Sequence, residues 1–205
     1  MGHHRTSTIR RNWWRVARAG LAAGALLVGS GVYGAVDAAS VPAPVPVQAT
    51  NCVNHLTRIV AGRPEARISS VQCYGTFADA FRAVTNGRVQ VSSNLSPSQV
   101  TAAMLAPQAA GNSVVLGIDY SDPNFYGSTV YWTASTGCTP TLSWALPWVG
   151  SANNDVGASA MSFSGCSRYN HYDNSNYGGA VFTCIWSCGS LRALSQRTSS
   201  ESWDH

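Results

Sequence analysis

The chain has 205 residues; 11% are charged, 10% are aromatic and 19 are glycine. So low a charge excludes a coiled coil or a charged disordered tail, and the length suits one domain with an appendage. All 13 basic residues are arginine, and the meaning of the formal charge of +4 depends on where they sit.

Five of them, Arg5, Arg10, Arg11, Arg15 and Arg18, precede an apolar stretch from Leu21 to Val36, and Ala38, Ala39 and Ser40 follow. Basic, then apolar, then small is the order of an export signal. Residues 1–39 are therefore read as a cleavable signal peptide, which predicts a secreted, extracellular protein. An uncleaved anchor is the competing reading, but the stretch is short and glycine-rich for a membrane span. Arg10–Arg11 resemble a twin-arginine pair, yet Ile9 replaces the usual hydroxyl residue, so the export route stays open. Beyond residue 39, eight arginines face eight acids. A neutral, lysine-free surface gives no electrostatic funnel, which excludes nucleic acid and, for the mature form, a membrane as partner.

Residues 40–51 alternate proline with small apolar residues and read as an extended spacer. Residues 52–112 read as a small helix-containing region. Thr76 can cap a helix through Phe77, Ala80, Phe81 and Val84, which share one face, and Asn86-Gly87 ends it. Arg88–Ser92 reads as a short strand. Ser96-Pro97 opens a second short helix ending near Leu105, and 106–112 reads as a linker.

From 113 to 205 the texture is that of an all-β domain. Val114–Ile118, Thr129–Trp132, Ala160–Phe163 and Ala180–Thr183 are strand-forming runs separated by Gly, Asn, Ser and Pro clusters. The charge is +3 over residues 40–112 and −3 over 113–205. All six cysteines, Cys52, Cys73, Cys138, Cys166, Cys184 and Cys188, lie beyond the signal. An even count in an exported chain predicts three disulfides out of 15 connectivities. Proximity in the chain favours Cys52–Cys73, Cys138–Cys166 and Cys184–Cys188. Zinc is disfavoured, because Cys184-x3-Cys188 has no second close pair and His55, His171 and His205 are scattered.

The β region repeats itself. Tyr120, Asn124, Phe125 and Gly127 recur 52 positions later as Tyr172, Asn176, Tyr177 and Gly179. The glycine supplies the clash-free position that folds a hairpin over, and the two aromatics cover the fold. Each copy has a second half: Asn154-Asp155-Val156-Gly157-Ala158-Ser159, and Ser195-Gln196-Arg197-Thr198-Ser199-Ser200. On these residues the chain resembles the βγ-crystallin superfamily, whose Greek-key motif is an aromatic, six residues and a glycine, followed by an Asn/Asp-Asn/Asp-x-x-Ser/Thr-Ser hexad. The resemblance covers about residues 113–203. It implies an all-β, two-Greek-key sandwich carrying a small helical N-terminal extension. It also implies secreted bacterial relatives of two kinds, actinobacterial metalloproteinase inhibitors and killer-toxin-like antifungal proteins.

In microbial members the hexads hold calcium, through hard oxygen ligands. Here Asn154, Asp155 and Ser199 are present, Ala158 lacks a hydroxyl, and Ser195-Gln196 replace the acidic or amide pair. Two readings stay open: one weak calcium site, or Asp155 and Ser200 serving only to hydrogen-bond folded hairpins. No other cofactor is expected. No G-x-S-x-G, H-E-x-x-H or phosphate loop occurs, and no carboxylate pair is evident, so the chain reads as a non-enzyme. His171, one residue before the motif Tyr172, reads as a surface residue of its hairpin. The expected partner is an extracellular protease or a cell-wall polysaccharide, met by a monomer. Trp144, Pro147 and Trp148, in the longer loop of the first repeat, are the candidate binding edge.

Overall fold

The computed structural model describes residues 51–105 and 113–205; the segments expected to be a signal peptide (1–39), a spacer (40–50) and a linker (106–112) lie outside the described residues. The described residues belong to one unit, Val45–His205. In chain order the elements are β1 (Asn51–Arg58), β2 (Ala66–Tyr74), α1 (Phe77–Val84), α2 (Ala102–Leu105), β3 (Val114–Asp122), β4 (Tyr126–Ala134), β5 (Trp144–Leu146), β6 (Ser159–Ser162), β7 (Arg168–Asn174), β8 (Gly178–Ile185), β9 (Ser187–Cys188) and β10 (Ser200–Asp204). The strands form a six-stranded sheet, β2-β1-β4-β3-β6-β9, and a four-stranded sheet, β5-β10-β7-β8.

The two halves of the repeat exchange a strand. β3, β4 and β6 share the larger sheet, while β5, from the same half, pairs with β10 in the smaller one. Conversely β9, between β8 and β10 in sequence, pairs with β6 in the larger sheet. The main core draws on both sheets and centres on Trp132, Trp144, Tyr169 and Trp203. A second core joins α1 to the six-stranded sheet through Phe77, Phe81, Tyr120 and Tyr131. β3 is thus buried along seven consecutive residues, which is why it reads as a continuous apolar run rather than an alternating one.

Helix α1 matches the residues expected of it, with the Thr76 hydroxyl accepting from the Asp79 amide and Gly87 at a positive φ beyond its end. Three N-terminal expectations are corrected. The segment from residue 51 is more than a helix-containing extension: β1 pairs antiparallel with β2 and parallel with β4, so besides α1 and α2 it supplies two strands of the larger sheet. Its strand character is masked in sequence because buried polar residues stand among the apolar ones; Asn51, for example, accepts from the Thr129 hydroxyl at 2.8 Å. Arg88–Ser92 forms no strand. The second helix is interrupted: a single 3-10 turn at Pro97–Gln99, closed by a Ser96/Gln99 capping box, precedes the separate α2.

The three disulfides pair as expected: Cys52–Cys73 across β1 and β2, Cys138–Cys166 between the loops after β4 and before β7, and Cys184–Cys188 from β8 to β9.

Candidate functional site

The repeated motif builds the same corner twice. Tyr120 and Phe125 meet edge-to-face with ring centroids 5.5 Å apart and planes at 72°; Tyr172 and Tyr177 repeat both values. Gly127 and Gly179 adopt φ of 82° and 76°. A Cβ on either would collide with the acidic or amide side chain folded over it, so glycine is required by space as well as by dihedral. A buried serine locks each corner. Ser159 Oγ accepts from the Phe125 amide (3.0 Å) and donates to the Asp122 carbonyl (2.7 Å). Ser200 Oγ accepts from the Tyr177 amide (3.0 Å) and donates to the Asn174 carbonyl (2.6 Å).

The hexads face each other through reciprocal backbone bonds. The Asp155 amide donates to the Thr198 carbonyl (3.1 Å) and the Gln196 amide to the Gly157 carbonyl (2.6 Å). Both donors are left-handed, with φ of 60° and 56°. Asp155 is exposed and accepts from Asn154 Nδ2 at 2.7 Å, while Asn154 Oδ1 is buried with no hydrogen-bond partner among the described residues. That orphaned oxygen and one carboxylate are suited to a hard cation, but Ala158 contributes no side-chain donor and calcium takes six to eight oxygens. The set fits only a weak site that leans on backbone carbonyls and water. Calorimetric titration is expected to give calcium binding no tighter than roughly 100 μM, and a sub-micromolar constant would overturn this reading.

The expected binding edge is corrected in part. Trp144 is buried in β5; its indole N–H donates to the Thr136 carbonyl (3.0 Å) and the Arg58 guanidinium lies 4.0 Å from its ring centroid. The Pro147 carbonyl accepts from the Asn176 amide (2.8 Å). Trp148 alone of the three is exposed, at 45%. Trp186, an aromatic of the β region outside the expected edge, is exposed at 56%.

The loop joining β1 to β2 carries no sequence motif that marks it. Ile59 and Val60 are each 56% exposed at its start, and Ala61, Gly62 and Arg63 are exposed after them. The loop is nonetheless held at its base. The Ile59 amide donates to the Glu65 carbonyl (2.9 Å), and the Ala145 amide donates to the Pro64 carbonyl (2.9 Å). The Arg58 guanidinium donates to the Arg63 and Ser143 carbonyls. Cys52–Cys73 clamps the strands behind it.

His171 is the largest correction. It is fully buried on β7, not on the surface, because it alternates with half-buried neighbours and points inward beside Tyr169. Its Nε2 lies 3.0 Å from Asp119 Oδ1. Asp119 Oδ2 accepts from Trp132 Nε1 and from the Tyr169 hydroxyl, each at 2.7 Å, and the same hydroxyl lies 2.9 Å from Glu201 Oε2. Two carboxylates that no spacing pairs, 82 residues apart, thus share a phenol in the core. Burial pushes Asp119 up, but the bonds from His171, Trp132 and Tyr169 outweigh it and hold its carboxyl below the usual range. Burial, then the Asp119 charge, push Glu201 well above the usual carboxylate range; the same two causes and Glu201 raise the Tyr169 phenol.

No family model and no curated protein matches the chain. Solved structures do. One is a βγ-crystallin from an archaeon, at 20% identity over 43% of this chain and 96% of that one, with a TM-score of 0.32. Another is a mutant βγ-crystallin domain from Clostridium beijerinckii, at 19% identity over 43% and 97% of the two chains, TM-score 0.33. A third is a βγ-crystallin from Ciona intestinalis, at 13% identity over 42% and 94%, TM-score 0.31. The chain is similar in structure to βγ-crystallin domains over that share of its length.

Proposed function

We propose that this is a secreted, non-enzymatic two-Greek-key protein of the peptidase-inhibitor type, and that the β1–β2 loop is the segment it presents to an extracellular protease. The supporting observation is the loop itself: two exposed apolar residues, Ile59 and Val60, on a backbone pinned at its base by Arg58, Glu65 and Ala145. A protease cleft binds extended backbone and buries apolar side chains. A loop ordered beforehand loses little entropy on entering the cleft, and so can bind tightly over a small area. The motif resemblance to the βγ-crystallin superfamily, which includes secreted metalloproteinase inhibitors as well as killer-toxin-like proteins, is compatible with this role. Arg58 itself is withdrawn over Trp144, which leaves the apolar pair as the natural anchor.

The test is titration against a panel of metallo- and serine proteases. Stoichiometric inhibition of a thermolysin-like enzyme is expected. Val60→Asp should weaken it by on the order of 30-fold or more without altering the fold, as for a hot-spot side chain. No inhibition by the folded protein across the panel would end the proposal. Retention on chitin or glucan in that case, lost on Trp148→Ala or Trp186→Ala, would assign the role to carbohydrate binding.

A further inference from the structure

We infer that Asp119, His171 and Glu201 form a buried site for a first-row divalent cation such as zinc, at the centre of the fold, using none of the hexad oxygens, although Gly157 of the first hexad packs against Asp119. The three residues come from β3, β7 and β10, so the site spans both sheets. One ligating atom from each lies within 4.8 Å of the others, and all three side chains are buried. Ligands of a tetrahedral zinc ion stand roughly 3.3 Å apart for bonds of about 2.0 Å, so the atoms draw in by no more than about 1.5 Å. The Asp119–His171 pair, at 3.0 Å, is already at that spacing.

Hydrogen bonding leaves one ring nitrogen of the cluster unanswered. That atom, His171 Nδ1, is buried without a partner among the described residues. The Tyr169 hydroxyl bridges the two acids, at 2.7 Å from Asp119 and 2.9 Å from Glu201. A dry core seldom keeps two carboxylates, because apolar residues of the same volume stabilise at least as well. Around a dication, two carboxylates and an imidazole sum to zero charge, and the mixed nitrogen and oxygen donors suit zinc. The surroundings already orient the ligands as an outer shell does: Trp132 Nε1 donates to Asp119, and Tyr169 bridges the two acids. Asp119 and Glu201 bring their oxygens from facing sheets, so one ion would tie the sheets together at mid-core.

Because the cluster is enclosed, the ion would enter while the chain folds. The test is therefore oxidative refolding of the reduced, denatured protein with zinc or with cobalt, against refolding in chelator. Thiol titration verifies that all three disulfides have formed, which removes cysteine as a ligand. Bound metal is then counted by mass spectrometry after a chelator wash. About one zinc per chain is expected, and visible d–d bands for the cobalt form. Glu201→Gln keeps the shape and the hydrogen bonds to Tyr169, so it should fold and retain almost none. Asp155→Asn, in the hexad, should retain as much as the parent. Correctly oxidised protein that retains no metal would overturn the inference. So would equal retention by Glu201→Gln, or loss on Asp155→Asn, which would place the ion in the hexad.

Discussion

His171→Leu is expected to destabilise the fold by about 3–5 kcal/mol, the cost of leaving a buried charge without its partner. For a domain of this size that lowers the midpoint of thermal unfolding by roughly 10–15 °C. The cause is local. Asp119 is buried between the sheets, and His171 Nε2 lies 3.0 Å from its Oδ1; leucine fills the volume but leaves Oδ1 without a partner, while Trp132 and Tyr169 still donate to Oδ2. The Asp119→Asn/His171→Leu double variant should be more stable than His171→Leu alone by about 1 kcal/mol or more, because no charge is then stranded. Thermal and urea unfolding in chelator measure both. A single variant within about 0.5 kcal/mol of the parent would mean that the pair carries no net coupling.

Removing the Cys138–Cys166 bridge comes next. It closes 28 residues, and the chain-entropy relation gives about 3.5 kcal/mol for that span, against about 2 kcal/mol for Cys184–Cys188, which closes 4. Both half-cystines are buried in the main core, so Cys138→Ala/Cys166→Ala also leaves a small void. Denaturant titration of the Cys138–Cys166 and Cys184–Cys188 double-alanine variants should rank them in that order. The reverse order would show that native packing, not loop entropy, sets the contribution.

Sequence patterns exposed what is local and hid what is not. The capped helix α1, four of the strands and the nearest-neighbour disulfides are encoded within short windows, by cap chemistry, β-branched runs and spacing. The corners were legible because a two-fold repeat of Tyr, Asn, aromatic and Gly fixes them against chance. β7 and β10 were not, because Arg168–Asn174 and Ser200–Asp204 look polar: their inward positions carry His171 and Glu201 as well as Tyr169 and Trp203. The residues that conceal these strands are the ones that meet Asp119. Trp144 was misplaced for a related reason. The Arg58 side chain, more than 80 residues upstream, lies over its ring, and no local pattern records such a contact.

The parallel pairing of β1 with β4 has a bearing on the order of events during maturation. Cys52 and Cys73 are 21 residues apart and lie opposite one another in a hairpin, so their bond can form while the rest of the chain is still open. The match of Asn54 to Trp132 must instead bring together residues 78 apart, and parallel strands gain nothing until that loop closes. The hairpin is then a cross-linked module that docks late, onto an edge the β3–β4 hairpin has already laid down. A protease-facing loop at its tip would become rigid only at that last step, when Ala145 and Ser143 arrive to grip it.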